Sequence, residues 1–472
     1  MMVLSARRLA ADLGAWGAVG PAYTALADRI RLLALDGRIP LGTRLPAERE
    51  LAAQLAVSRT TVAAAYARLR GSGYLESTRG SGSVVVMPGR GGLPGHDDDG
   101  SAAVVLDLSK AALPAAPQVG EAAVRAAREL PAYLNGDGYD PLGLPRLRRA
   151  LAERYTARGV PTEPGQLMVT LGAQHAISLV TKTLLRRSDT ALVEAPSYPH
   201  AIEALRSAGR RLVPVSVEAR CGWDDDGLEQ SFVRARPALA YVMPDFHNPT
   251  GAVMPADQRE RLMAVAGRHR SVVVADETMA ELRIDGSPEL PLAAYGPAVL
   301  IGSMGKTVWG GLRIGWIRAD ASMIRRLEQA RYANDLGTPL LEQLVALDML
   351  GNYDELLRFR AAQLAEGRHG LETLLGHHLP QWDVPHVSGG LCTWVNLGAP
   401  VSSQLALAAR DRGLLLGAGP RFGIDGVFER FLRVPFSYPL EDTRRAVEIL
   451  AAAWRSVDAR APARDDFAPA LV

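Results

Sequence analysis

The sequence predicts an α/β protein in two parts: a small, mainly helical N-terminal module and a large body with a mainly parallel sheet. Three observations carry this expectation. From about Leu106, short apolar runs (167–170, 190–193, 239–242 and 272–275) alternate with longer helical stretches over most of the remaining chain. That alternation is the pattern of buried strands joined by crossover helices. Residues 21–70 read instead as three successive helices, followed by a short hairpin pattern. Charge divides the chain at the same place, with a net of +5 over residues 1–86 and −3 over the remainder, concealed in an overall +2. A basic module on a slightly acidic body points to a polyanionic partner for the first part.

Composition sets the outer limits. The 472 residues exceed one ordinary domain of about 100–200 residues. Hydrophobic residues at 48% and charged residues at 22% exclude a wholly disordered chain, a collagen-like repeat and a coiled coil. Two cysteines, Cys221 and Cys392, exclude a disulfide framework and a cysteine metal cluster, and fit a reducing cytoplasm. No metal site is expected. The first residues lack the apolar core and cleavage site of a secretory signal. No apolar run reaches the roughly 18 residues that a membrane span needs. The Gly-, Pro- and Asp-rich stretch from Met87 to Ser101 reads as a flexible linker. The expected organisation is a module over 20–86, a linker over 87–105 and a large domain over 106–460.

In the module, the first helix is expected over 23–35, stopping at Asp36-Gly37. The second is expected to start at Leu45-Pro46-Ala47-Glu48, with Pro46 in its first turn and Leu51, Ala52 and Leu55 turned inward. After the tight turn Ala56-Val57, Ser58 is a good N-cap for a third helix over 59–70. Its Val62, Tyr66 and Leu69 share one face. Arg59, Thr60 and Thr61 are left projecting from its start. In a helix-turn-helix that end enters the major groove of double-stranded DNA, where Arg can pair with guanine and Thr can touch a thymine methyl. The hairpin that follows puts Arg79-Gly80 at its tip, within reach of phosphate or the minor groove. The stretch Gly42 to Ala52 followed by Val57 to Val62 resembles the winged-helix domain of GntR-type transcription regulators. The resemblance implies that Arg44, Arg49, Arg59 and Gly80 lie at the DNA. With Ser58, Thr60, Thr61 and Arg79 they form the candidate DNA-binding set.

The chain holds three lysines, Lys110, Lys182 and Lys306, against 50 arginines. The excess reads mainly as coding bias. Lys306 differs from the other two in its surroundings: Ser303-Met304-Gly305-Lys306-Thr307 precedes Gly310-Gly311-Leu312-Arg313. A Walker A loop would need a glycine five positions before Gly305, and position 300 is Leu300. The alternative is Ser-x-x-Lys with an Arg seven residues on. A lysine in an apolar stretch can shed its proton and form a Schiff base with an aldehyde, which arginine cannot do. Ser303 and Arg313 would then bind a phosphate. The cofactor suggested is pyridoxal 5′-phosphate (PLP).

A PLP site needs more, and the sequence supplies candidates. Asp276, ending an apolar strand, can hold the pyridine nitrogen protonated so that the ring draws electrons. Asn248 in the loop Pro244 to Gly251 can donate to the ring oxygen. Ala173 and Gln174, in a strand–Gly–helix turn, offer backbone N–H groups to the phosphate. Tyr198 can cover the ring face.

In this order and spacing the residues resemble the fold-type I aminotransferases over about 125–455. That likeness implies a large fold-type I PLP-dependent aminotransferase-like domain with a smaller C-terminal subdomain. It also implies that Lys306 carries the cofactor, that Arg433 in Leu432-Arg433-Val434-Pro435-Phe436 binds a substrate or effector carboxylate, and that Tyr139 reaches the phosphate across a dimer. Two departures stand out. The family often has Tyr two or three residues after the Asp, here Thr278 and Met279. It often has Ser before the Lys, here Gly305.

A GntR-type winged helix joined to an aminotransferase-like body resembles the MocR subfamily of regulators. The resemblance implies a cytoplasmic, head-to-tail homodimer that senses PLP, or PLP with an amino compound, and regulates transcription. The alternative is a PLP-dependent aminotransferase acting on an amino acid or amine.

Overall fold

The structure, a computed structural model, describes residues 3–14, 21–35, 38–78, 82–86, 105–208, 211–424 and 427–458. The module comprises helices α1 (Ala6–Leu13), α2 (Ala22–Leu35), α3 (Glu48–Leu55) and α4 (Arg59–Gly71), closed by the antiparallel hairpin β1 (Leu75–Thr78) and β2 (Gly82–Val85). Helix α1 lies before the expected start at residue 20. Its Leu9 and Leu13 are fully buried in the module core beside Leu26, Leu51, Val62 and Leu69. Periodicity over so short a segment carries little signal, so only packing reveals it.

Helix α3 begins at Glu48 with Ala47 as its N-cap, so Pro46 precedes the helix instead of occupying its first turn. The reason is tertiary. The Leu45 N–H donates to the Ser83 carbonyl at 2.9 Å, and the Tyr66 hydroxyl donates to the Pro46 carbonyl at 3.0 Å. Both bonds hold 45–46 extended against the hairpin and α4. The turn from α3 to α4 passes through Ala56 in the left-handed region, φ +53°. Ser58 then caps α4 by accepting from the Thr61 N–H at 3.1 Å. The expected hairpin tip, with Arg79 and Gly80, and residues 87–104 of the expected linker lie outside the described residues.

The body is organised by strands β4 (Leu167–Thr170), β5 (Thr190–Ala195), β6 (Arg211–Glu218), β7 (Gly222–Trp223), β8 (Leu239–Val242), β9 (Val272–Asp276), β10 (Ala298–Ser303) and β11 (Gly315–Arg318). They form one sheet in the order β4-β11-β10-β9-β8-β5-β6-β7. The run β10-β9-β8-β5-β6 is parallel, β11 runs against both of its neighbours, and β7 runs against β6. The four apolar runs read from sequence all lie in this sheet. β4 and β8 are buried at every position, which is why they show no alternation. Helices cover both faces, so the carboxyl ends of the parallel strands open on one edge.

The smaller C-terminal subdomain has its own core around Leu371, Leu432, Val434, Phe436, Val447 and Trp454. Its antiparallel sheet joins β12 (Cys392–Asn396), β15 (Phe431–Pro435) and β14 (Gly417–Ala418) in that order. The short strand β3 (Leu106–Asp107) pairs in parallel with β13 (Leu414–Leu415).

The module rests on this subdomain through α2. Arg29, 8% exposed, donates to Glu429 Oε1 at 2.7 Å, to Ser403 Oγ at 3.2 Å and, within the module, to the Leu13 carbonyl at 2.9 Å. Arg31 pairs with Asp411 at 2.8 Å beside it.

If α1 belongs to the module core, Leu9→Ala should destabilise the module by about 2–5 kcal/mol, the usual cost of such a cavity. Hydrogen exchange should then show faster opening of α2 and α4, with the large sheet unaffected.

Candidate functional site

A cavity of about 400 Å³ opens at the carboxyl edge of the sheet. Asp276 forms its floor at the last position of β9, 5% exposed. The Tyr241 hydroxyl, from neighbouring β8, donates to its Oδ2 at 2.6 Å, and the Thr278 N–H donates to Oδ1 at 3.0 Å. Burial pushes the carboxyl pKa up, and these two bonds partly restore the ionised form. Tyr241 was not singled out from sequence, because a tyrosine inside an apolar run reads as core.

Lys306 follows β10 in the same cavity. Its Nζ donates to the Ala111 carbonyl at 2.6 Å. Burial, then the charge of Arg433, lowers its pKa to about 8. Roughly a tenth of the amines are therefore unprotonated at pH 7, against fewer than one in a thousand for an ordinary lysine. Lys182 is exposed on the helix Gly172–Leu184. Lys110 stands at the cavity rim, with its side chain 68% exposed and 3.2 Å from Asp107.

One end of the cavity is built to take an anion. The helix Gly172–Leu184 starts there, so the N–H groups of Ala173 and Gln174 fall in a first turn that has no intrahelical acceptors. A Cβ on Gly172 would stand 2.7 Å from Arg313 Nη2, and one on Gly315 only 2.6 Å from the Gly172 carbonyl carbon. Glycine at both positions is what allows strand, helix start and guanidinium to meet. Arg313 reaches the Leu171 carbonyl at 2.8 Å. Ser303 Oγ accepts from the Gly305 N–H at 3.0 Å and donates to the Ile314 carbonyl at 3.0 Å. Tyr198 lines the same end, edge-on to His200 with ring centroids 5.3 Å apart. Burial pushes its phenol pKa up to about 12.

The opposite wall carries Asn248 and Arg433. The Asn248 loop is pinned by His247, whose Nδ1 lies 2.8 Å from Thr250 Oγ1 and whose Nε2 lies 3.2 Å from buried Glu194. Glu194 in turn accepts from Trp223 Nε1 at 2.7 Å and from the Met243 N–H at 2.9 Å. Arg433, on β15, stacks over Phe422 at 4.8 Å and donates to the Ser109 carbonyl and, at 3.4 Å, to Asn248 Oδ1. Its Nε is buried without a partner among the described residues. Burial lowers its pKa.

The structure therefore brings together Lys306, Asp276, Asn248, Ala173, Gln174, Tyr198, Ser303, Arg313 and Arg433. It does not bring Tyr139 to the cavity of its own chain; that side chain is 67% exposed. Sequence reasoning missed the segment Ser109–Ala112, which follows β3 where it is stitched to the subdomain, and Arg421, which the turn Gly419–Phe422 brings to the cavity. The donor set fits pyridoxal 5′-phosphate: an amine that sheds its proton, a buried carboxylate, a helix start with an arginine, and an aromatic cover.

On the module, Ser58, Arg59, Thr60 and Arg49 are exposed, while Thr61 and Arg44 are half-buried. The Ser58 hydroxyl lies 2.7 Å from Thr60 Oγ1 and 2.8 Å from Thr61 Oγ1. Arg59 Nε is 3.9 Å from Glu48. Arg44 extends along the hairpin, where a Cβ on Gly82 would stand 2.8 Å from its Nε.

Comparison with known proteins agrees with both halves. Residues 104–450 match the model for aminotransferase class I and II. Residues 22–85 match that for bacterial regulatory proteins of the gntR family. The chain is 28% identical to the uncharacterized HTH-type transcriptional regulator YdfD of Bacillus subtilis, over 90% of this chain and 95% of that one. It is 30% identical to the probable rhizopine catabolism regulatory protein MocR of Rhizobium meliloti, over 77% of this chain and 78% of that one. Among solved structures it is similar to LysN, the α-aminoadipate aminotransferase of Thermus thermophilus, complexed with N-(5′-phosphopyridoxyl)-L-leucine. The TM-score is 0.70 at 28% identity, covering 75% of this chain and 93% of that one. With a GntR-type winged helix on an aminotransferase class I and II domain, and whole-length likeness to regulators of that build, the chain belongs to the MocR subfamily of GntR-type transcription regulators.

Proposed function

We propose that this PLP-dependent, DNA-binding regulator senses PLP together with a small amino compound and passes the occupancy of that site to its winged helix. One observation carries the reading. The chain that holds Lys306, Asp276 and Arg313 in one cavity also rests its DNA-reading module on the subdomain that supplies Arg433.

PLP, when bound, supplies an aldehyde that reacts with primary amines and a ring that accepts electrons. The chain's own residues do the rest. Lys306 offers a primary amine that gives up its proton near neutral pH. Asp276, braced by Tyr241, keeps a carboxylate at the cavity floor to hold a protonated ring nitrogen. Arg313, Ser303 and the helix start hold phosphate, and Tyr198 and Asn248 orient the ring. Arg433 presents a guanidinium to the carboxylate of an amino compound.

The route to the module is short. Arg433 stacks on Phe422, which ends the turn Gly419–Phe422. The Gly419 N–H donates to Ser402 Oγ at 2.9 Å, the Ser402 N–H donates to the Glu429 carbonyl at 2.8 Å, and Glu429 holds Arg29 of α2. A ligand that draws on Arg433 thereby alters the seat of the DNA module, to the extent that its affinity differs between seated and released forms.

A head-to-tail homodimer completes the reading. Leu134 and Tyr139 in one segment, and Tyr332 and Leu336 in another, are large apolar or aromatic side chains left exposed. The two segments are tied by the Arg331 bond to the Pro141 carbonyl at 2.7 Å. Such a surface supports pairing with a second copy, whose cavity Tyr139 would reach. A cytoplasmic location follows from this reading, since the chromosomal DNA that such a regulator would bind lies there.

A mobility-shift assay on the DNA upstream of its own gene should show binding that changes on adding PLP and an amine. Absence of binding in both conditions would overturn the reading. Arg59→Ala should weaken that binding by about 1–3 kcal/mol, the cost of losing a base contact.

Covalent uptake of PLP, followed by visible absorbance, should accelerate about fivefold from pH 7 to pH 8 and level off above pH 9. The sign follows from a depressed lysine pKa of about 8: the reactive neutral amine is gained as pH rises through that value. A rate still climbing at pH 10 would show that Lys306 titrates as an exposed amine.

Arg29→Ala should leave DNA and PLP binding measurable yet reduce the effect of the amino ligand on DNA affinity from about fivefold or more to less than twofold.

A further inference from the structure

The cavity holds a cation that the cofactor and a simple amino acid leave unused. Arg421 sits in the turn Gly419–Phe422 and lines the cavity. In the subdomain sheet Gly417 is paired with Arg433, so the chain four residues on carries Arg421 past the carboxylate-binding arginine. Its side chain is half-buried, and the structure gives it no hydrogen bond or ion pair among the described residues.

A count of the lining charges gives this meaning. The basic residues are Lys110, Lys306, Arg313, Arg421 and Arg433, and the acidic ones are Asp245 and Asp276. Asp245 is committed to Arg259 at 2.7 Å, and Lys110 is paired with Asp107. Asp276 answers the ring nitrogen of PLP, Arg313 answers the phosphate, and Lys306 becomes the covalent attachment. An α-carboxylate answers Arg433. Arg421 remains, and its charge is felt in the site: it lowers the pKa of His200 and, with Cys392, ranks next after burial among the influences on Arg433. A partly desolvated guanidinium gains most from an ionised, planar acceptor that can bind both of its arms.

We propose that Arg421 is a specificity determinant that selects an amino dicarboxylate as effector, its α-carboxylate held by Arg433 and its distal carboxylate by Arg421. The proposal rests on the reading of the cavity as a PLP and amino-compound site. A neutral side chain of the same length would leave Arg421 half-buried and unanswered, while a basic side chain would be repelled.

The test uses the full-length, PLP-loaded protein and isothermal titration with L-glutamate and its neutral isostere L-glutamine. Glutamate should bind more tightly, on the order of tenfold to a hundredfold, the range expected of a charge-assisted bond. Arg421→Gln should abolish the preference, and Arg421→Lys should restore most of it. Arg433→Gln should weaken both ligands alike. Equal binding of the two ligands by the unmodified protein, or a preference that survives Arg421→Gln, overturns the proposal while leaving the PLP site intact. Loss of PLP itself from Arg421→Gln would assign the residue to the cofactor phosphate and also overturn it. Binding of neither ligand to the PLP-loaded protein would overturn both this proposal and the reading on which it rests.

Discussion

Keeping a lysine amine partly out of water, between a buried carboxylate and a buried guanidinium, is the constraint on which the large domain is organised. Such an amine is costly to charge, and its pKa falls to about 8 for that reason. The same burial pushes Asp276 up and Arg433 down. These groups are tolerable together only because the surrounding elements satisfy them. Tyr241 and the Thr278 N–H hold Asp276, the Ala111 carbonyl holds Lys306, and the Ser109 carbonyl and Asn248 hold Arg433. The partners come from β8, from the turn after β9, from the segment after β3 and from the β8–β9 connection. A site of this kind can therefore exist only after the sheet and the subdomain have closed on each other.

That dependence also explains how a small ligand can concern a distant helix. Ser109 and Ala111 belong to the segment that leaves β3, and β3 is fastened to the subdomain by its pairing with β13. Arg433, Phe422 and Glu429 belong to the same subdomain, and Glu429 seats α2 of the DNA module. Site and seat share one short stretch of chain, 417–435. No long pathway is required, since the stretch has a cavity on one side and Arg29 on the other.

Much of this was legible in the residues themselves. The four short apolar runs fall in the large sheet, and Asp276 ends its strand as expected. Ser58 caps α4, and Val62, Tyr66 and Leu69 are buried together on one face of it, as the residues predict. These features rest on local chemistry: strand burial, a capping hydroxyl, a helical period. Other features were not legible. Helix α1 has eight residues, and its membership of the module core is decided by what Leu9 and Leu13 meet. The displacement of Pro46 from the first turn of α3 depends on bonds to Ser83 and Tyr66, far along the chain. Arg421 carried no motif, and in a chain rich in arginine nothing marks one more.

By itself the sequence determined the kinds of chemistry available: a single reactive lysine in an apolar setting, a strand-end aspartate, a glycine turn before a helix, and a basic helix-turn-helix. Spacing along the chain also determined which strand or helix would carry each group. Only the tertiary structure decided which groups share one space and in what protonation state. It placed Tyr241 under Asp276, Ala111 beside Lys306, Arg421 in the cavity of Arg433, and Glu429 against Arg29. The physical reason is that burial and charge act through space. Arg421 and Arg433 are twelve residues apart in the chain, Lys306 and Ala111 are 195 apart, and it is their common cavity that sets what each can bind.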